Sequence, residues 1–183
     1  MRIIAGLKKS TLIRIPKGFP KSTRPTTDRV KESLFNILTN KFDFSRIIVL
    51  DLFSGSGSIS FEFVSRGCSK VYSVDNNEKC TSFIKKISQQ HEFNIKVFKK
   101  DYKAFINKCD VKFDVIFIDP PYNDNLDDYL DIINLIKYRD LISNKGEIVI
   151  EHSSKIKLHV NFKDSKERKF GSSVLTFIKK ASL

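Results

Sequence analysis

The sequence predicts an α/β protein: a mostly parallel sheet with helices on both faces, closed by an antiparallel hairpin. Three observations carry this. From Arg46 to Glu151, short apolar and β-branched runs alternate with segments of helical period. The first run is followed by a glycine-rich turn, Phe53-Ser54-Gly55-Ser56-Gly57, which leads into a helix. The fourth ends in Asp119-Pro120-Pro121-Tyr122, where two prolines can continue neither a ladder nor a helix.

Residues 1–27 form a basic arm. Arg2-Ile3-Ile4 and Leu12-Ile13-Arg14-Ile15 suit a small hairpin turned by Gly6 and Lys8-Lys9-Ser10; Pro16, Gly18, Pro20 and Pro25 keep the next stretch irregular. Thr26, Thr27 or Asp28 caps a helix reaching Leu38 or Thr39, with Val30, Leu34, Phe35, Ile37 and Leu38 on one face. Ile47–Leu52 is a continuous apolar strand, and a helix follows from about Ser58 to Arg66, stopped by Gly67. Lys70–Val74, closed by Asp75, is the second strand, after which Asn76 or Asn77 caps a helix to about Gln90. Ile95–Phe98 is the third strand, Asp101–Asn107 a short helix and Phe113–Ile118 the fourth strand. Leu126–Tyr138 reads as a helix with Asp124, Asp127 and Asp128 near its positive end. Gly146–Glu151 is the fifth strand. Ile156–Phe162, Lys166–Phe170 and Val174–Ile178 read as further β structure, the last two as a hairpin turning at Gly171-Ser172.

At 183 residues the chain has the length of one domain with a proper core. No apolar run is long enough to span a membrane, and Met1 to Gly6 is too short and too soon basic for a signal peptide. Cys68, Cys80 and Cys109 form no C-x-x-C pair, and His91, His152 and His159 lack metal-ligand spacing. Reduced thiols, no metal and a cytoplasmic location are therefore expected. The net charge of +12 is unevenly placed: residues 1–31 hold nine Lys or Arg against one acid, Asp28. A polyanion such as nucleic acid is the natural partner of that block.

The loop Asp119 to Tyr122 sits at the carboxyl end of a strand, where ligands bind in open α/β sheets. The exocyclic amine of a nucleobase is a poor nucleophile because its lone pair is delocalised into the ring. Asp119 and the Pro120 carbonyl can each accept one of its N–H bonds and turn the lone pair toward an electrophile. Tyr122 offers a face for the base to stack on. The glycine-rich turn, Asp75 after strand two and Asp101 after strand three fall on the same sheet edge. Asp75 stands where a carboxylate grips ribose hydroxyls, and Asp101 where one could accept from an adenine amine. Singly, each acid also reads as a helix cap; together they describe an adenosine-containing cofactor beside an amine-orienting loop. S-adenosylmethionine fits this better than NAD, since nothing suggests a hydride acceptor.

Met1-Arg2-Ile3-Ile4-Ala5-Gly6, the block from Thr23-Arg24-Pro25-Thr26 to Leu38, Leu50 to Gly57, Ser65-Arg66-Gly67 and Asp119-Pro120-Pro121-Tyr122 together resemble the RsmD-type methyltransferases. The resemblance spans nearly the whole chain, with the T-R-P-T-x-x-R block its specific part. It departs at Lys9-Ser10-Thr11-Leu12, at Asp75 in place of the commoner Glu, and at Ser88. It implies a Rossmann-like class I domain with strand order 3-2-1-4-5-7-6, methylating a guanine N2 in bacterial 16S ribosomal RNA of the assembling small subunit. Residues 1–40 would be an RNA-facing extension of a monomeric methyltransferase domain, 41–183. Asp119, Pro120 and Tyr122 are then the catalytic candidates. Asp51, Phe53, Gly55, Gly57, Asp75 and Asp101 are those for S-adenosylmethionine, and Arg2, Arg24, Thr26, Arg29 and Pro121 those for RNA. A DNA adenine N6-methyltransferase and a non-catalytic nucleic-acid-binding domain of the same fold are the alternatives.

Overall fold

The computed structural model describes residues 1–20, 26–121 and 125–183. Seven strands form one sheet: β1 (Ile48–Leu52), β2 (Lys70–Asp75), β3 (Ile95–Lys99), β4 (Phe113–Ile118), β5 (Ile142–Ser153), β6 (Lys166–Phe170) and β7 (Ser173–Lys179). Their order is β3-β2-β1-β4-β5-β7-β6. The first five are parallel, and β7 runs antiparallel to both β5 and β6. Among the described residues α1 (Asp28–Thr39) precedes β1, and four further α-helices link successive strands: α2 (Ser58–Ser65), α3 (Glu78–His91), α4 (Tyr102–Ile106) and α5 (Leu126–Tyr138). Class, strand order and terminal hairpin all match the expectation.

The two-residue period of the strands divides the core. Leu50, Leu52, Ile116, Ile118, Ile148 and Ile150 point to one face, where Phe105 and Ile106 of α4 and Ile132, Ile133 and Ile136 of α5 cover them. Val49, Val115, Phe117 and Val149 point to the other, against Val30, Leu34, Phe35 and Leu38 of α1 and Ile59 and Phe63 of α2. Thr27 caps α1, its hydroxyl accepting the Val30 amide at 3.4 Å, and Asn77 caps α3 through the Lys79 amide at 2.9 Å. The three cysteines are buried free thiols. No described helix is long and apolar enough to cross a membrane.

The arm is part of the folded body. Arg2 and Leu12 form an isolated bridge. Ile3 and Ile13 are buried with Phe61 of α2, Phe83, Ile84 and Ile87 of α3, and Phe93. At Gly6 (φ +84°) a Cβ atom would lie 1.9 Å from the Ser65 carbonyl oxygen, so only glycine lets the arm touch the end of α2. Lys31, on the buried face of α1, donates to the Arg2 carbonyl and lies 3.6 Å from Asp28. Burial lowers its pKa against the upward pull of Glu62 and Asp28.

Two expectations are corrected. Ile156–Phe162 is not β structure: it follows a turn at Ser154-Lys155 and holds a 3₁₀ helix over Leu158–Asn161. β7 takes the place beside β5, and buried Ile156 and Leu158 pin the segment as it crosses to β6. β5 begins at Ile142, not Gly146, because Ile142 already pairs with Phe113 before a register shift toward Val115 and Glu147.

Candidate active site

A cleft opens at the carboxyl ends of β1, β2 and β4, where the sheet order reverses. Asp51, Phe53, Gly55, Asp75, Asp101, Asp119, Pro121 and Thr26 all line it. Positions far apart in the sequence thus meet at one sheet edge.

The loop after β1 is bent by its backbone. Phe53 and Gly55 have positive φ, 67° and 51°, and Phe53 is a non-glycine residue held in the left-handed region. Asp75 fixes the loop: its Oδ2 accepts the Gly55 amide at 2.8 Å, while Oδ1 accepts the Asn77 amide at 2.8 Å. Gly57 (φ +76°) is not on the cleft wall. A Cβ there would lie 2.8 Å from Ile84 Cγ1 and 3.0 Å from the Phe61 ring, so this glycine lets α2 start hard against α3. Asp101 Oδ1 caps α4 through the Lys103 amide at 2.9 Å and that of Ala104 at 3.4 Å. The Phe53 and Tyr102 rings meet beside it, centroids 5.2 Å apart.

Asp51 is buried beneath the loop. Its Oδ2 accepts the Ser60 amide at 3.1 Å and the Ser60 hydroxyl at 2.6 Å, and that hydroxyl also touches the Ser73 hydroxyl. Burial pushes the carboxyl up to about 7, with the Ser60 hydrogen bonds opposing and Asp75 adding to the rise. Ser58 Oγ, on the first turn of α2, is buried on the cleft wall without a hydrogen-bond partner among the described residues. An unsatisfied buried hydroxyl of this kind is costly unless a ligand completes it.

Asp119 directly follows β4 and is half-buried, with Pro120 buried behind it and Pro121 exposed at the mouth. Its carboxyl lies well above the ordinary carboxylate range, first through burial and then through the Glu151 and Asp51 carboxylates. Glu151, near the end of β5, was not singled out from sequence. Ile118 pairs with Ile150, so Asp119 and Glu151 stand side by side at adjoining strand ends. Glu151 Oε1 accepts the Ser173 hydroxyl at 2.8 Å and Oε2 the Thr26 hydroxyl at 3.4 Å; burial raises its pKa. The rule that picked out Asp75 and Asp119, an acid closing a parallel strand, applies to Glu151 too. Ser58, Ser60 and Ser73 carry no such signal.

Tyr122 and Arg24 lie outside the described residues. Arg2 is away from the cleft, pairing with Asp28 at 3.1 Å, while exposed Arg29 lines a shallow groove between α1 and β6 with Arg168. No cluster of three or more His, Cys, Asp or Glu among the described residues could hold a metal.

The arrangement divides in two about the β1–β4 junction. The loop, Asp75, Asp101 and the open hydroxyl of Ser58 offer hydrogen-bonding partners to a polar cofactor; Asp119 and Glu151 offer acceptors to a group bearing N–H bonds. A profile of the family described as "Conserved hypothetical protein 95" matches residues 1–179. "Ribosomal RNA small subunit methyltransferase D" of Buchnera aphidicola subsp. Baizongia pistaciae is 32% identical over 155 residues, covering 84% of this chain and 76% of that protein. A hypothetical protein of Thermus thermophilus, TTHA0928, shares the fold with a TM-score of 0.82 and 22% identity, over 98% of this chain and 99% of that one. So does a T. thermophilus 16S rRNA N2 methyltransferase, RsmC, in complex with AdoMet and guanosine, with a TM-score of 0.67 and 18% identity. That match covers 85% of this chain and 44% of the other.

Proposed function

We propose, on the premise that this chain belongs to the Conserved hypothetical protein 95 family, that it is a methyltransferase that methylates the N2 amine of a guanine in 16S ribosomal RNA, with S-adenosylmethionine as donor. The carrying observation is Asp119, a carboxylate on a proline-stiffened strand end, on the same cleft wall as Asp75 and the β1 loop. The names of the relatives above, which methylate small-subunit ribosomal RNA, support the reading.

The residues present fit the cofactor. Asp75 and Asp101 would take its ribose and adenine, and the Ser58 hydroxyl, at a helix N-terminus, its carboxylate end. Bound there, the cofactor supplies an electrophilic sulfonium methyl. Asp119 and the Pro120 carbonyl accept the two N–H bonds of the amine, which leaves the nitrogen lone pair facing the methyl. On methylation the amine would have to lose a proton, which the Asp119 carboxylate would accept and pass to water. Positioning supplies most of the rate, and a paired or stacked guanine has to flip out to reach the cleft. Tyr122 would stack on it.

Residues 1–40 serve as an RNA-facing extension docked on the methyltransferase domain, 41–183, with Arg2, Arg24, Thr26 and Arg29 toward RNA or the acceptor base. We place the protein in the cytoplasm as a monomer acting on the assembling small subunit. Mass spectrometry of nucleosides from small-subunit RNA tests the reading. One N2-methylguanosine should disappear when the gene is deleted and return with the intact gene but not with Asp119→Ala. An unchanged nucleoside profile overturns it.

A further inference from the structure

The second carboxylate of the acceptor side has no part in orienting the amine, yet the fold holds it in place. Glu151 receives two hydroxyl protons, from Ser173 at 2.8 Å and from Thr26 at 3.4 Å. Thr26 and Asp119 both line the cleft, and Glu151 is bonded to the first and stands beside the second on the neighbouring strand. An uncharged glutamine could accept from one of these hydroxyls and donate to the other without placing a second negative charge beside Asp119. Two carboxylates side by side are unfavourable in an empty site, and the arrangement becomes favourable when a ligand brings two neighbouring donors.

Guanine has such a pair on its Watson–Crick edge, N1–H next to the N2 amine. Adenine presents its N6 amine next to N1, which carries a lone pair and would repel a carboxylate. A flipped base is read on this edge. Resting on the function proposed above, we infer that Glu151 is a specificity-determining residue: it accepts the guanine N1–H while Asp119 takes the N2 amine, and so rejects bases with a lone pair at N1. The two hydroxyl hydrogen bonds favour the ionised, accepting form of Glu151 against the burial that opposes it, and Thr26 links this reading of the base to the segment that opens α1.

The test compares two RNA substrates that differ at the target base, guanine or 2-aminopurine, at mildly alkaline pH. 2-Aminopurine keeps the C2 amine but has a lone pair at N1. The wild-type enzyme should lose about 10- to 100-fold in kcat/KM on 2-aminopurine, the worth of a hydrogen bond to a charged group. Glu151→Gln should shrink that ratio to within about threefold, because its amide can turn to donate to N1. 2-Aminopurine also lacks O6, but that loss is common to both enzymes and cancels in the comparison of ratios. The same ratio in wild type and in a Glu151→Gln variant that melts normally overturns the inference. If the variant fails to fold, the wild type decides alone: equal rates on the two substrates refute the role of Glu151 and leave guanine N2 methylation standing. No methylation of either substrate refutes the functional reading and this inference with it.

Discussion

The carboxylate of Glu62, buried in α2, accepts the amide of Ile4 at 2.8 Å across 58 positions of sequence. Its other oxygen accepts the Ala5 amide at 3.0 Å and the Arg66 guanidinium at 2.8 Å. One side chain thus ties the basic arm to the Rossmann-like body. Glu62→Ala strands two amides and a guanidinium, and we expect a loss of about 2–4 kcal/mol in thermal or denaturant unfolding. Limited proteolysis should then cut first within residues 1–20. A variant that melts like the wild type would show that the arm is held by its other contacts, apolar and through Ser65 and Lys31.

Asp75→Ala would remove more than the proposed ribose contact. Both carboxylate oxygens hold backbone amides, of Gly55 and Asn77, so the β1 loop loses its anchor as well. S-adenosylmethionine affinity should fall by about 1–3 kcal/mol, read by calorimetry. Unchanged affinity would move the ribose contact elsewhere.

Asp119→Ala should lower the single-turnover rate by orders of magnitude while cofactor affinity stays near normal. The wild-type rate has a pH signature. The Asp119 carboxyl is raised well above the ordinary carboxylate range by burial and by the Glu151 and Asp51 charges. In the proposed role the ionised form accepts the amine, so activity should rise with pH through a range above that of an ordinary aspartate. A flat profile, or a variant with near-normal turnover, removes Asp119 from the chemistry.

Asp51 should contribute to the pH dependence of stability in the cofactor-free protein. Its folded pKa is about 7, against 3.8 for the free side chain. A raised carboxyl stabilises the fold fully below its unfolded pKa, and that contribution is lost as pH rises through the folded value. Asp51→Asn does not titrate, and its side-chain oxygen can still accept from Ser60. The melting temperature of the variant relative to wild type should therefore climb between about pH 4 and pH 7, by the equivalent of a few kcal/mol. A difference independent of pH would show that Asp51 does not titrate in that window.

Replacing Arg24 and Arg29 together with Ala should weaken RNA binding and lower its salt slope by about 0.7–0.9 per lost phosphate contact. Cofactor affinity should not move. Arg29 is exposed and outside the core, so melting should stay normal. Normal melting with the wild-type salt slope would transfer the RNA surface to the basic stretch Lys155 to Lys169.

Periodicity and strand-end chemistry made much of this legible. Asp51, Asp75 and Asp119 close or follow buried strands, and a parallel sheet must bring such ends to one edge. Glu151 has the same signature, but its partners Thr26 and Ser173 lie 125 and 22 positions away, and nothing local marks them. Gly57 belongs to a glycine-rich turn, yet its neighbours are Ile84 and Phe61, a packing reason no motif shows. Ile156–Phe162 has strand-like composition, but β7, later in the chain, takes the place beside β5, and the segment packs as a 3₁₀ helix instead. Lys31 falls on an apolar face because the Arg2 carbonyl, from the arm, is there to receive its ammonium.

The fit between Gly6 and the end of α2 also sets an order of events. The arm comes first in the chain, but its seat consists of Ser65, Phe61 and residues of α3, so the seat is complete only once the chain has extended past Phe93. During synthesis the arm should therefore stay unmoored until α3 and Phe93 have been made. In refolding, docking of the arm should be a late step. Its contacts would then slow unfolding more than they speed folding.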